Sequence, residues 1–158
     1  MRSGSCQTGE LPRVLFLCTG NSCRSQMAEG FGRKLLAGRA EVESAGTQPH
    51  GLNPLMVEVM REVGIDVTGQ RSKHIDEFVG VELDLVVTVC DSAHEACPTM
   101  PGVKVMHRGF DDPPKLAREA RTPEEAREHY RRVRDEIRGF IEQWPAWLAV
   151  TRRDQDKE

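Results

Sequence analysis

Val14-Leu15-Phe16-Leu17-Cys18-Thr19-Gly20-Asn21-Ser22-Cys23-Arg24-Ser25 decides the fold: an apolar run stops at a thiol, a glycine-bearing turn follows, and a helical pattern opens directly behind it. A strand that ends in such a turn and opens a helix leaves several backbone N–H groups pointing at one spot, where the helix dipole adds positive potential. A tetrahedral oxyanion fits that spot, cradled by Thr19, Gly20, Asn21, Ser22, Cys23 and Arg24. Arg24, six residues beyond Cys18, brings a planar fork that grips two anion oxygens, where a lysine would act only as a point charge. The same field is expected to hold Cys18 as a thiolate, since a free thiol with a pKa of roughly 8.5 drops well below that at a helix N-terminus beside a cation.

A second segment repeats the geometry. Asp84-Leu85-Val86-Val87-Thr88-Val89 is a β-branched run that delivers Cys90 at its carboxyl end, followed by Asp-Ser-Ala-His-Glu-Ala and Cys97. In an open parallel sheet the carboxyl ends of the strands line the ligand crevice. Cys18 and Cys90 are therefore expected to come within disulfide range, about 4.4–6.8 Å between Cα atoms. The short polar segment after Cys90 lets Cys97 return toward it, which suggests thiol–disulfide exchanges that pass oxidation outward.

These residues carry a family resemblance. The chain resembles the thioredoxin-coupled arsenate reductases, a group built on the low-molecular-weight tyrosine phosphatase fold. The match covers roughly residues 12 to 143 and rests on several separate motifs: Cys18 to Glu29, Ser44-Ala45-Gly46, Asp84 to Cys90, Cys97-Pro98, and Gly109-Phe110-Asp111-Asp112-Pro113. The resemblance implies that Cys18 attacks arsenate, that Cys90 displaces arsenite to give a Cys18–Cys90 disulfide, and that Cys97 then captures Cys90. Thioredoxin would reduce the exposed Cys90–Cys97 bond, so no bound cofactor is expected. It further implies that Ser25 donates a hydrogen bond to Cys18, that Asn21 braces the loop, and that Asp112 is the general acid. On the residues alone either Asp111 or Asp112 reaches the crevice edge. Some members of the group hold a potassium ion near the loop, and the matching oxygen ligands here are Asn21, Glu29 and Ser44. Where an aspartate completes that site in such relatives, this chain has Lys73. Its ammonium is expected to take the cation's place and pair with Glu29, with no metal bound and no dependence on potassium.

The chain has 158 residues, 38% of them hydrophobic, which is one domain of ordinary size with enough apolar side chains for a core. A net charge of −3 and only 5% aromatic residues give no attraction to nucleic acid or anionic membrane and no stacking platform for bases. Residues 1–10 lack an apolar leader segment and no run approaches membrane-spanning length, so a cytoplasmic location is the expectation. Five cysteines in a chain without a secretion signal favour reactive thiols over a structural framework. Cys6 has no assigned role, and a monomer is expected.

Apolar runs alternate with helical patterns, which predicts a βαβ series and a parallel sheet. Strands are expected near 13–18, 41–45, 84–90 and 103–107, and helices near 23–37, 54–63 and 122–143. The last helix has the clearest start, with Thr122-Pro123-Glu124-Glu125 as a capping box and an apolar stripe from Ala126 to Trp144. Strand order 2-1-3-4, with helices on both faces of an open four-stranded sheet, is what the resemblance implies. It expects a flexible tail over 1–11, one catalytic domain over 12–148 and a polar tail over 149–158.

Three alternatives compete. Zinc binding is disfavoured because Cys18-x4-Cys23 is at the edge of ligand spacing, Arg24 adjoins it, and the five histidines (His50, His74, His94, His107, His129) form no i, i+4 pair. Each reads as a surface or satisfied polar residue, with His94 placed to tune a thiol. A low-molecular-weight tyrosine phosphatase would use Cys18 to form a phosphocysteine, yet would need neither Cys90 nor Cys97. Pro113-Pro114 also stands where such phosphatases place tyrosines. A non-catalytic oxyanion or redox sensor would use the same thiols without consuming reductant.

Overall fold

A computed structural model of the chain describes residues 11–97, 100 and 102–156; the N-terminal tail with Cys6, and Pro98, lie outside them. Four parallel strands, β1 (Arg13–Cys18), β2 (Glu41–Gly46), β3 (Leu85–Thr88) and β4 (Lys104–His107), form one sheet in the order β2-β1-β3-β4. Val14, Leu15, Phe16 and Leu17 are all fully buried. Since successive side chains of a strand face opposite ways, β1 is covered on both faces, as a parallel sheet requires.

Around the sheet stand α1 (Arg24–Leu35), α2 (Pro54–Glu62), α3 (Asp91–Ala96), α4 (Pro113–Ala117) and α5 (Pro123–Asp156), with a 3-10 turn at Ile75–Phe78. Asn53 Oδ1 caps α2 by accepting from the Leu55 and Met56 amides at 2.9 and 3.1 Å, and Pro54 supplies a first residue whose missing N–H is not needed. Thr122 Oγ1 caps α5 by accepting from the Glu125 amide at 3.0 Å. The expected stripe is buried as far as Ile141: Ala126, Tyr130, Val133, Ile137, Phe140 and Ile141 face the core, the side chain of Trp144 lies outside those described, and α5 packs against α1, α2 and α4.

The structure departs from the sequence reading at four places. β3 stops at Thr88 rather than 90: the Val89 amide makes a last bond to β1, at Leu17 O and 2.9 Å, and Cys90 becomes the cap of a helix. The segment read as a polar loop after Cys90 is that helix, α3. Asp112-Pro113-Pro114, where no helix was expected, opens α4, with Pro113 at its first position. The last helix continues past 143 to Asp156, through much of the expected polar tail. Ala, Leu, Arg and Gln make up six of the thirteen residues of that extension and favour helix, despite Pro145 within it.

Candidate active site

The strand order reverses direction between β1 and β3, and Leu17 pairs with Thr88 there. Both chains leave the sheet at this point, so Cys18 and Cys90 emerge side by side at the switch point where open α/β sheets bind ligands. They line one pocket of about 500 Å³, together with Cys23, Arg24, Asp112 and Lys115 among others. A slightly larger hollow, about 570 Å³, lies at the opposite ends of β1 and β3 between Leu11, Asp84 and Val103, and no thiol lines it.

The loop between Cys18 and Arg24 is turned inside out by its neighbours. The carbonyls of Cys18, Thr19, Gly20 and Ser22 accept from the amides of Thr47, Gln48, His50 and Asn53 respectively, at 2.8–3.2 Å. A peptide N–H points opposite to the C=O of its own plane, so the amides that follow these carbonyls face the pocket. One of them is seen in use: Asn21 N donates to Cys18 Sγ at 3.2 Å. Asn21 holds φ = +46°, a left-handed conformation that asparagine tolerates better than most side chains. Gly46 lies against this loop so closely that an added Cβ would sit 2.5 Å from Thr19 O.

Asn21 is also the hub of a buried polar chain. Its Nδ2 donates to Ser25 Oγ at 2.8 Å and to Ser44 Oγ at 3.0 Å, while its Oδ1 accepts from Lys73 N and Gln26 Nε2. Each serine accepts from Asn21, which leaves its own proton to be donated onward. Ser44 donates to Glu29 Oε1 at 2.5 Å, and Ser25 is 2.8 Å from Cys18 Sγ. At the far end Glu29, 1% exposed, is held by Arg33 at 2.9 Å and by Lys73 Nζ at 3.4 Å. Asn21 thus ties the loop to both serines, and Lys73 pairs with Glu29.

One expectation fails. Burial pushes the Cys18 thiol up from its ordinary value, and it outweighs the Ser25 hydroxyl, the Ser25 and Asn21 amides and Arg24, which all pull it down. Sequence reasoning counted those donors but not the desolvation of a sulfur only 4% exposed. Cys23 is pushed well above its usual range, by burial and then by the neighbouring Cys18. Tyr130, at the base of the site, is pushed up to about 12, by burial and then by Cys23.

Arg24 Nη1 donates to Phe110 O at 2.9 Å and Nη2 stands 3.6 Å from Asp112 Oδ1. Asp111 instead pairs with Arg132 at 3.0 Å, on α5. Sequence reasoning left these two aspartates open; the geometry separates them, with Asp112 on the pocket.

Cys90 Sγ is 3.4 Å from Thr19 Oγ1 and accepts from the Ala93 amide at 3.4 Å, as the N-cap of α3. Cys97, half-buried, is the C-cap of the same helix and does not line the pocket. Burial pushes its thiol up. At 1.5 Å of rise per residue the two Cα atoms are held about 10 Å apart, beyond disulfide reach.

The pocket also has lining residues the sequence reading did not place there. His50 covers Gly20 so closely that a Cβ on Gly20 would lie 2.2 Å from Nε2. Lys115 and Arg118 add positive charge at the mouth. His50 comes in from a loop the sequence reading did not use, and Lys115 and Arg118 follow Asp112 by one and two turns of the short α4, a helix the sequence reading did not expect. Among the described residues no group of three or more His, Cys, Asp or Glu side chains is placed to hold a metal ion. No described helix is long and apolar enough to cross a membrane.

Residues 13–155 match the family described as low molecular weight phosphotyrosine protein phosphatase. An arsenate reductase of Bacillus subtilis is 53% identical over 125 residues, 78% of this chain and 88% of that protein. The structure of a thioredoxin-dependent arsenate reductase from Corynebacterium glutamicum is similar at a TM-score of 0.69 and 25% identity, over 89% of this chain and 63% of the other. A low molecular weight protein tyrosine phosphatase from T. tengcongensis is similar at a TM-score of 0.69 and 29% identity, over 85% of this chain and 98% of the other.

Proposed function

The chain belongs to the low molecular weight phosphotyrosine protein phosphatase family, and on that premise we propose that it is an arsenate reductase working through Cys18, Cys90 and Cys97, with thioredoxin as its reductant. The observation that carries the reading is Cys90: besides the loop thiols Cys18 and Cys23, a thiol from the end of a different strand opens into the anion pocket, where phosphoryl transfer has no use for it.

The backbone amides of the loop and the Arg24 fork hold the arsenate oxygens, and Lys115 and Arg118 draw the anion in. Because burial favours the Cys18 thiol, the incoming arsenate dianion takes the sulfur's proton as it binds. The thiolate then keeps the Ser25 hydroxyl and the Asn21 amide as donors. Cys18 Sγ attacks arsenic, one As–O bond breaks, and Asp112 protonates the departing oxygen so that it leaves as water. Cys90 Sγ next attacks Cys18 Sγ. The S–As bond breaks with its electron pair going to arsenic, so As(V) leaves as arsenite, As(III), and a Cys18–Cys90 disulfide forms. Cys97 attacks Cys90, Cys18 departs as a thiolate, and thioredoxin reduces the Cys90–Cys97 bond by two electrons. A cytoplasmic setting, where thioredoxin and arsenate meet, and a monomeric state belong to the same proposal.

The phosphatase relative shares the cradle, so weak hydrolysis of aryl phosphates is expected as a side activity. The deciding experiment is arsenate-dependent NADPH oxidation in the presence of thioredoxin and thioredoxin reductase, comparing the intact chain with Cys18→Ser, Cys90→Ser and Cys97→Ser. Loss of turnover in all three supports the relay. No turnover in the intact chain, with aryl phosphate hydrolysis that needs Cys18 alone, overturns it in favour of a phosphatase.

A further inference from the structure

Beside the pocket, four side chains tie α3 to the sheet. His107 Nε2 is 2.9 Å from Asp91 Oδ1, His107 Nδ1 is 2.8 Å from Thr88 Oγ1, and Thr88 Oγ1 is 3.0 Å from His94 Nδ1. Their donor and acceptor roles follow from one end. A carboxylate only accepts, so His107 Nε2 carries the hydrogen given to Asp91. With His107 in that tautomer its Nδ1 accepts from the Thr88 hydroxyl at 2.8 Å, the Met106 carbonyl being a more distant acceptor for the same proton at 3.4 Å. The remaining lone pair of Thr88 accepts from a hydrogen on His94 Nδ1. The His94 and His107 rings lie against each other, tilted by 31°, with centroids 4.6 Å apart.

The placement matters more than the contacts. Thr88 and His107 end β3 and β4 and are paired across the sheet, so they form a rigid edge. Asp91 and His94 are the first and fourth residues of α3, one turn apart. A six-residue helix is far too short to hold itself together. Its anchors are these two side chains and the buried Ala93, whose amide bonds Cys90 Sγ.

We propose that His94, Thr88, His107 and Asp91 act as a clasp that keeps α3 wound, which reserves Cys90 for Cys18 and holds Cys97 away until Cys90 has reacted. His94 and His107 are positioning residues here; neither touches the reacting sulfurs. The proposal rests on the reductase reading for its purpose. Wound, α3 separates Cys90 from Cys97 by about 10 Å. To close that gap, residues 91–96 must leave helical geometry, which carries His94 off Thr88. The clasp and the Cys90–Cys97 bond therefore exclude each other. With α3 unclasped, a peroxide, which takes two electrons and two protons from a pair of thiols as it is reduced to water or an alcohol, would close the Cys90–Cys97 bond without arsenate and so remove Cys90 from the relay.

The test needs no arsenate and so is separable from failure of the reductase reading. In a Cys18→Ser background the reduced protein is exposed to diamide, which takes two electrons and two protons from a pair of thiols. Formation of the Cys90–Cys97 disulfide is followed by alkylation and peptide mass. His94→Ala and Thr88→Val should each speed it about tenfold, the scale of one lost hydrogen bond. His94→Asn, whose amide nitrogen stands where Nδ1 does, should return the rate to within about twofold of the parent. His94 is exposed, so its variants test the clasp even if Thr88→Val folds poorly. Unchanged rates in His94→Ala, or no rescue by His94→Asn, would overturn the proposal.

Discussion

Asp112 stands 3.6 Å from Arg24 across the anion pocket, whereas its neighbour Asp111 is drawn 3.0 Å from Arg132 on α5. One peptide unit thus sends two chemically equal carboxylates to opposite duties. Asp112→Asn should lower kcat for arsenate by about 10²–10⁴-fold, the range of a positioned general acid. Asp111→Asn should change kcat less than about twofold. Equal effects of the two substitutions in steady-state kinetics would remove Asp112 from the acid role.

Cys97 cannot reach Cys90 while α3 is wound. Amides of residues 91–97 should therefore exchange with solvent at least tenfold faster in the Cys90–Cys97 oxidised protein than in the reduced one, as local unfolding demands. Those of β1 should stay protected. Mass-resolved hydrogen exchange on the two redox forms decides this, and equal protection of α3 in both would contradict the relay.

Ser25 stabilises the Cys18 thiolate against the burial that pushes the thiol up. Ser25→Ala removes a donor that favours the charged form, so the balance moves further toward the neutral thiol. The pH midpoint for alkylation of Cys18 by iodoacetamide should rise by about one unit, and alkylation near neutral pH should slow about tenfold. A midpoint that falls or holds would show that Ser25 does not donate to the sulfur.

Lys73 Nζ lies 3.4 Å from Glu29 and 3.8 Å from Glu43, with Arg71 O accepting from it at 3.3 Å. An ammonium already occupies the negative end of the Asn21 network. Turnover should be the same in potassium and sodium buffers of equal ionic strength. A severalfold stimulation by potassium would mean that Lys73 leaves this position in solution.

Much of this was legible in the residues. Val14 to Leu17 announces a strand buried on both faces, and the thiol, glycine and arginine behind it announce an anion loop; neighbouring residues carry all of that information. Thr122 and the stripe from Ala126 to Ile141 likewise locate α5, because capping and helical spacing are local. α3 was not legible. Asp91 to Ala96 has weak helical preference and no long apolar repeat, and its winding depends on Thr88 and His107, which belong to other elements. The Cys18 thiol was misjudged for the same reason: the donors near it are written in the loop, whereas its desolvation comes from the packing of the whole sheet. His50, Lys115 and Arg118 reach the pocket only through folding.

Lys73 gives the Asn21 network a positive charge on a tether. A dissolved ion bound there would come and go with the surrounding electrolyte, and the shape of the anion loop would follow its concentration. A covalently attached ammonium has an effective concentration that dilution cannot lower. If turnover proves the same in potassium and sodium, the loop is insulated from the ionic composition of the medium and cannot be adjusted by it.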